Sequence, residues 1–470
     1  MATRKAASTM RVSVRPSWVL LAVLALAACH PVLPAAPQPS PPSPVGPAAT
    51  AADDVGAQAL CPAGSAAPEP TPTPTAPVEY VATVEQPGPS DEHEYVTFTA
   101  ASEAELDSEV AQLEAEGDVL TVEPNRLVSA LLVDPSDDDF FASGQQYGPK
   151  LAHADFETAW ASGLDGTGVR IAIVDSGVVA THEDLLGRVD IASGWDFVEG
   201  NLDATDDDHG HGTHVAGIAA ASDNSDGVVG GAPLATIVPI RVLNAQGSGG
   251  EGNVASGIAW AANPLQGNAD IINLSLGGPS CSQAIQNAIQ AALTAGLVVV
   301  AAGGNCGAGP NTNCDVANQA LFPAAGPDTD LIAVAATTEG DERASFSNFN
   351  PRKRVSTWPQ VLGYIDVAAP GNQTISTYVG SSSAYQFLSG TSMASPHVAA
   401  AAALLLQKCP SLFDHGATTS ADVKAMLEAT AVRVYEEAIS SWPTSHTTNI
   451  TDLGHGLIKV GAATALPCPA

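Results

Sequence analysis

An alternation of short apolar runs and alanine-rich stretches constrains the fold more than any other feature of this sequence. It extends from about Gln145 to Gly461. Runs rich in Val and Ile are typical of strands, and Ala-rich stretches are typical of helices. Because the runs are continuously apolar, both faces of the strands should be buried. The sequence therefore predicts an α/β fold with helices on both faces of a mostly parallel sheet. The predicted strands are 169–174, 237–240, 271–274, 297–301 and 331–335, and the predicted helices are 215–221, 253–262, 282–295 and 393–408.

The charge balance argues against nucleic acid and anionic membrane surfaces as partners. The 470 residues include 17 Lys and Arg against 50 Asp and Glu, a formal net charge of −33. Binding to nucleic acid or to an anionic membrane surface needs clustered positive charge. We therefore expect neither partner. Nothing in the sequence indicates an oligomer, so a monomer is expected.

Residues 1–28 have the layout of an export signal. A basic stretch ends at Arg15, and the apolar run 18–28 precedes Cys29. This run is too short for a membrane-spanning helix. The sequence Leu-Ala-Ala-Cys at 26–29 looks like a lipobox, which predicts a lipid anchor on Cys29 as the chain's membrane attachment. An ordinary signal peptide is the alternative, and either one places the product outside the cytoplasm.

Two segments separate this signal from the main domain. Residues 29–78 form a predicted tether, because 14 of the 35 prolines fall within 31–77. Residues 79–134 predict a small α+β unit. Its strands are expected at 79–84, 94–99 and 119–122, with a helix that Ser102 caps and that runs to about Glu114. A unit of this size is marginal alone, so we expect it to pack against a neighbour.

Six cysteines remain when Cys29 is set aside, and they lie at positions 61, 281, 306, 314, 409 and 468. An even number in an oxidising compartment favours disulfides, although six cysteines allow 15 pairings. Cys306 with Cys314 would close a short loop, and Cys409 with Cys468 would hold the C-terminus. Buried unpaired thiols are the alternative.

Three residues in separate segments could form a nucleophilic triad. Asp175 ends an apolar strand, His211 precedes small helix-compatible residues, and Ser392 begins a long Ala-rich helix. A serine hydroxyl needs an imidazole to take its proton, and the imidazole needs a carboxylate to fix its tautomer. The order Asp, His, Ser differs from that of α/β-hydrolases and of chymotrypsin-like enzymes. The chain therefore offers the parts of another triad architecture.

These segments resemble the motifs of the subtilisin-like serine proteases (subtilases, peptidase S8 family). The motifs are IVDSG, HGTHVAG and GTSMASPHVA, and the resemblance covers roughly residues 145–465. It implies a subtilisin-like catalytic domain over 145–466 that hydrolyses peptide bonds through an acyl-enzyme. Asp175 would be the orienting acid, His211 the general base and Ser392 the nucleophile. Asn305, in the sequence AAGGN, matches the family's oxyanion asparagine, whose amide would donate to the developing negative charge.

Two glycine-containing segments resemble the family's substrate-binding edges, which pair with an extended peptide. They are 274–278 and 247–250. Glycine lets another backbone approach closely. The predicted substrate-binding residues are Ser275, Leu276, Gly277, Gly249 and Gly304. The small residues at 302–304 predict a first pocket that takes large apolar side chains; ordinary turn glycines are the alternative.

The unit at 79–134 resembles the propeptides of the same family. Val122-Glu123-Pro124-Asn125 matches the usual close of such a unit. The resemblance implies that the chain's own propeptide is a partner that covers the site; a plain spacer domain is the alternative. A cut between about Leu131 and Gln146 would leave the lipid on Cys29 with the propeptide and release the enzyme from its anchor.

No cofactor is expected, although carboxylates such as Asp203 and Asp206 are compatible with a structural calcium ion. The pattern His209-x-His211-x-x-His214 could instead hold zinc in a metallohydrolase. That interpretation leaves Asp175 and Ser392 unexplained. A third hypothesis is an inactive, lipid-anchored binding protein on the same scaffold, and the competent residues at all four chemical positions argue against it.

Overall fold

A computed structural model describes most of the chain from Val78 onward. The described residues are 78–85, 93–115, 118–125, 127–130, 146–150, 152–224, 227–310, 314–350, 363–414, 416–433 and 453–469. The predicted signal, Cys29 and the predicted tether up to residue 77 lie outside them, as do residues 131–145, where the predicted cut falls.

The N-terminal unit is a three-stranded antiparallel sheet with one helix. Its elements are β1 (Val78–Glu85), β2 (His93–Ala100), α1 (Glu103–Glu114) and β3 (Asp118–Pro124), in sheet order β2-β1-β3. The predicted cap of α1 forms. The Ser102 hydroxyl accepts from the Glu105 N–H at 3.3 Å, and the Glu105 carboxylate accepts from the Ala101 N–H at 2.8 Å. A small core of Ala82, Val84, Val96, Phe98 and Leu113 holds the unit together.

Seven strands form the central sheet, and every pairing in it is parallel. This confirms the predicted fold class, and all five predicted strands lie in this sheet. In the order β13-β12-β11-β9-β5-β7-β6, the strands are β13 (Val367–Pro370), β12 (Ile332–Thr337), β11 (Val298–Ala302), β9 (Ile271–Leu274), β5 (Arg170–Asp175), β7 (Thr236–Arg241) and β6 (Trp195–Asp196). Outside the central sheet and the N-terminal unit, the described residues form five shorter strands, namely β4 (Leu127–Ala130), β8 (Ser248–Gly250), β10 (Leu276–Gly277) and the hairpin of β14 (Thr374–Thr377) with β15 (Tyr385–Leu388).

Helices cover both faces of the central sheet. They are α2 (Phe156–Ala161), α3 (His211–Ala220), α4 (Glu251–Ala262), α5 (Gln283–Thr294), α6 (Thr391–Lys408), α7 (Thr419–Thr430) and α8 (Val460–Ala465). The side chains of β5 alternate between two hydrophobic cores. Ile171 and Ile173 pack in the core that contains residues of α3 and α6, whereas Ala172 and Val174 pack in the core that contains residues of α4 and α5. Burial on both faces explains why these strands read as continuous apolar runs.

The structure contains both disulfides that the sequence analysis considered. Cys306 bonds to Cys314, and Cys409 bonds to Cys468. The second bond joins the end of α6 to the segment after α8, so it holds the C-terminus as predicted. None of the helices in the described ranges has the length and apolar run that a bilayer crossing requires.

Candidate active site

Three elements bring the predicted triad residues to the same region of the domain. Asp175 is the last residue of β5, His211 is the first residue of α3, and Ser392 is the second residue of α6. Helices α3 and α6 pack against each other on one face of the sheet. All three side chains are buried. Their elements meet near the carboxyl ends of the parallel strands, where α/β folds form their sites.

A short hydrogen bond couples the acid to the imidazole. His211 Nδ1 lies 2.7 Å from Asp175 Oδ1, and both side chains are 0% exposed. Asp175 Oδ1 also accepts from the Ser176 N–H at 2.7 Å, which fixes the carboxylate. With the proton of neutral His211 on Nδ1, the lone pair is on Nε2. His211 Nε2 has no hydrogen-bond partner among the described residues, so it is the ring atom available to take a proton.

Ser392 is positioned by reciprocal contacts with Ser275. The Ser392 hydroxyl donates to the Ser275 carbonyl at 3.1 Å, and the Ser275 hydroxyl donates to the Ser392 carbonyl at 2.8 Å. The Ser392 hydroxyl therefore directs its proton toward the Ser275 carbonyl oxygen rather than toward His211 Nε2. Catalytic hydrogen bonds of substrate-free enzymes often form fully only in the substrate complex.

Asn305 lies beside the residue that precedes Ser392. Its Oδ1 accepts from the Thr391 N–H at 2.9 Å and from the Thr391 hydroxyl at 3.1 Å. A backbone N–H can pair only with the amide oxygen, so this contact fixes which end of the side chain is which. Nδ2 is therefore the end that can donate to an oxyanion.

A strand of the same chain lies between the two predicted substrate-binding edges. Strand β4 pairs antiparallel with β8 on one side and with β10 on the other. Leu276 pairs with Ala130, Gly277 with Ser129, and Gly249 with Val128. A Cβ on Gly249 would lie 2.1 Å from the Val242 carbonyl oxygen, so this edge requires glycine. Leu276, Gly277 and Gly249 thus contact an extended peptide backbone.

The two remaining predicted substrate-binding residues have further contacts that the sequence did not indicate. The Ser275 hydroxyl accepts from Asn273 Nδ2 at 2.9 Å and lies 2.8 Å from the Ser395 hydroxyl. Ser275 therefore helps to hold α6 in place. Gly304 has a φ of 109°, and a Cβ there would lie 2.7 Å from Asn348 Nδ2. The role of Gly304 in a first pocket stays a prediction.

Asp207 is a buried carboxylate that the sequence analysis missed. Its oxygens accept from the Ser176 hydroxyl at 2.8 Å, from the Gly210 N–H at 2.8 Å and from the Thr213 N–H at 2.9 Å. It therefore ties the residue after Asp175 to the start of α3. Its place in a run of three aspartates, Asp206-Asp207-Asp208, hid this role, because adjacent acidic residues usually indicate a solvated loop.

The acidic loop surrounds a buried cation of the chain itself. Arg241 is 3% exposed and lies 3.0 Å from Asp196 and 3.5 Å from both Asp206 and Asp208. Asp203 accepts from the Thr205 hydroxyl at 2.6 Å within its own turn. The calcium ion considered above stays a prediction, because carboxylates of this loop interact with Arg241 or within their own turn.

The three histidines of the zinc hypothesis have separate surroundings. His211 bonds to Asp175, whereas His214 Nε2 donates to the Gln386 carbonyl at 2.9 Å. Burial lowers the pKa of His214 to about 3, so it stays neutral. Burial also lowers the pKa of His209, whose ring centroid lies 6.1 Å from that of His211. Within the described ranges no group of three or more His, Cys, Asp or Glu side chains is arranged to hold a metal.

A parallel α/β sheet with an Asp, a His and a Ser in this order defines the subtilisin-like class of serine protease. Residues 166–457 match the subtilase family, peptidase S8, and the chain belongs to it. It is 40% identical over 320 residues to subtilisin DY of Bacillus licheniformis, covering 67% of this chain and 97% of that protein. It is 41% identical over 298 residues to thermitase of Thermoactinomyces vulgaris, covering 63% of this chain and 91% of that protein.

A solved structure shares the fold. Fervidolysin from Fervidobacterium pennivorans, a keratinolytic enzyme related to subtilisin, matches with a TM-score of 0.60 at 25% identity. The match covers 84% of this chain and 62% of that one. The family and these relatives identify the chain as a serine-type endopeptidase that acts on polypeptides.

Proposed function

We propose that this chain is an exported endopeptidase made with its own inhibitory propeptide, and that Asp175, His211 and Ser392 are its catalytic triad. The observation that carries the proposal is the buried 2.7 Å bond between His211 Nδ1 and Asp175 Oδ1. It leaves Nε2 as the basic atom of the ring, and Asn305 is oriented beside Thr391 to supply an oxyanion donor.

The proposed reaction follows from these positions. Ser392 Oγ attacks the carbonyl carbon of the peptide bond while His211 Nε2 takes the hydroxyl proton, and Asp175 stabilises the imidazolium. The oxygen that becomes negative accepts from Asn305 Nδ2 and the Ser392 N–H. The leaving amine takes the proton from His211, which leaves an acyl-enzyme on Ser392. Water then attacks this ester while His211 Nε2 takes a proton from it; the bond from the acyl carbon to Ser392 Oγ breaks, the acid product leaves, and His211 returns the proton to Ser392.

A serine-directed fluorophosphonate and a zinc chelator test this assignment. The purified mature protein should be labelled on Ser392, as read by peptide mass spectrometry, and its peptidase activity should survive the chelator. Chelator-sensitive activity without labelling would favour the zinc hypothesis. Neither labelling nor activity would favour the inactive binding protein.

The pairing of β4 supports its role as a substrate-like inhibitor. An extended peptide added between two edges gains backbone hydrogen bonds on both sides, which is a sequence-tolerant way to bind polypeptides. Residues 127–130 occupy that place here. A substrate strand would have to replace them, so the unit at 79–134 would act as the inhibitor of the domain at 145–466.

The contacts of this unit with the helices support the same role. The Glu123 carboxylate accepts from the Ser282 hydroxyl at 2.6 Å and from the Ala284 N–H at 2.9 Å, at the start of α5. Asn125 Oδ1 accepts from the Gly252 N–H at 2.7 Å, at the start of α4. Both side chains belong to the Val-Glu-Pro-Asn motif, and each satisfies a helix N–H that lacks a partner within the helix. These cross-unit contacts favour a bound inhibitor over a spacer.

We place the maturation cut after Leu131. A peptide that continues the antiparallel register of β4 by one residue has its next residue opposite Ser275, whose carbonyl oxygen lies 3.1 Å from Ser392 Oγ. In the sequence that residue is Leu131, which also fits the predicted preference for large apolar side chains. The first product of self-processing should therefore begin at Leu132 when its N-terminus is sequenced early in the time course. A first cut elsewhere between residues 132 and 146 would contradict the register.

Export and anchoring complete the proposal. Export and anchoring are supported by the signal-like sequence 1–28, which Cys29 follows. A cut after Leu131 would leave Cys29 on the inhibitor. The mature enzyme would then be released from the membrane.

A further inference from the structure

We infer that Asn348 is a positioning residue for the oxyanion hole, holding the backbone on both sides of Asn305. This inference rests on the proposed role of Asn305 and extends it to a residue outside the recognised motifs. Asn348 lies in the segment between β12 and β13 and is 0% exposed.

Two hydrogen bonds of Asn348 bracket Asn305. The Asn348 N–H donates to the Gly304 carbonyl at 2.9 Å, and Asn348 Oδ1 accepts from the Cys306 N–H at 2.7 Å. Asn348 therefore binds the residue before Asn305 through its backbone and the residue after Asn305 through its side chain. Thr391 orients the Asn305 side chain, and this pair of contacts helps to fix the position of the Asn305 Cα.

The amide nitrogen of Asn348 extends the support by one more residue. Nδ2 donates to the Tyr364 hydroxyl at 2.7 Å and to the Gln319 carbonyl at 2.7 Å. The Tyr364 hydroxyl in turn donates to the Gly303 carbonyl at 2.8 Å. Burial raises the pKa of Tyr364, so this hydroxyl keeps the proton that it donates. The network thus reaches the loop at 303, 304 and 306.

Glycine at position 304 gives an independent sign of this close fit. A Cβ there would lie 2.7 Å from Asn348 Nδ2, and the backbone has a φ of 109°. The loop and the Asn348 amide are therefore packed too closely for any side chain between them. Displacing a donor by about 1 Å can cost on the order of 100-fold in rate.

A double-mutant cycle with Asn305 tests the inference. We expect Asn348→Ala to lower kcat by about 10- to 100-fold with little change in KM, because the oxyanion forms only in the transition state. In an Asn305→Ala background, the same change should cost no more than about threefold, because the donor it positions is already gone. Variants that process slowly are matured in trans by an immobilised protease, which is removed before the assay.

Asn350→Ala is the matched control. Asn350 is also a buried asparagine of this segment, and its amide makes two hydrogen bonds to the Ile365 backbone and none to residues 303–306. Its kcat should stay within about threefold of the parent value. Equal losses in Asn348→Ala and Asn350→Ala would overturn the inference, and so would full additivity with Asn305→Ala.

Tyr364→Phe covers the case in which Asn348→Ala does not fold. It removes one hydroxyl, and with it the contacts to Gly303 and Asn348, without opening a large cavity. We expect a smaller loss of kcat, about threefold to tenfold, which again disappears in the Asn305→Ala background. A loss that persists there would refute the positioning role.

Discussion

Replacing Ser392 or His211 by alanine should each lower kcat by about 10⁶-fold, and replacing both should lower it no further. The two side chains act in one proton transfer, so removal of either removes the whole step, and such effects are not additive. The measurement is kcat on a peptide substrate for the two single variants and the double variant, with thermal unfolding to confirm that each is folded.

Ser395→Ala is the matched control for Ser392. Ser395 is a buried serine one turn further along α6, and its hydroxyl lies 2.8 Å from that of Ser275. Its loss removes a support and leaves the proposed nucleophile in place, so kcat should fall by no more than about tenfold. A Ser395→Ala variant as inactive as Ser392→Ala, or an active Ser392→Ala variant, would refute the assignment.

Asp175→Asn should lower kcat by about 10⁴-fold while the protein stays folded. The carboxylate now accepts at 2.7 Å from His211 Nδ1. An amide at this place can turn its N–H₂ toward Nδ1, and the ring then carries its proton on Nε2, where it cannot take one from Ser392. The measurement is the pair of kcat and KM values, with KM expected to change little.

A half-buried carboxylate provides a matched control for this charge. Asp341 also accepts from an imidazole, at 2.8 Å from His153 Nδ1, but its side chain is 33% exposed, whereas that of Asp175 is 0% exposed. Asp341→Asn should leave kcat within about twofold. Loss of activity in both variants would point to general destabilisation rather than to the tautomer.

Most of the fold could be predicted because it depends on local sequence. Strand β5 and helix α6 are continuous runs whose apolar or Ala-rich character decides their structure wherever they pack. The candidate triad could be proposed from the sequence for a different reason: Asp175, His211 and Ser392 each lie in a short motif that combines a side chain of a reactive type with the small residues its setting requires.

The supports of the site could not be predicted, because they depend on contacts between distant segments. Asn348 and Cys306 are 42 residues apart, and Ser275 and Ser392 are 117 apart. Arg241 stabilises an acidic loop that precedes it by more than 30 residues. An asparagine or a serine in a loop has many local partners, so its sequence neighbours do not reveal which distant backbone it binds.

Under the proposed inhibitory role of β4, the strand lying between β8 and β10 also determines how activity responds to dilution. While β4 is covalently joined to the enzyme, its local concentration is on the order of millimolar and does not depend on how much protein is present. Once the chain is cut beyond β4, rebinding becomes a two-body event. Occupancy of the cleft should then fall as the product spreads into a larger volume, so we expect the enzyme to become active after it has left the place where it was made.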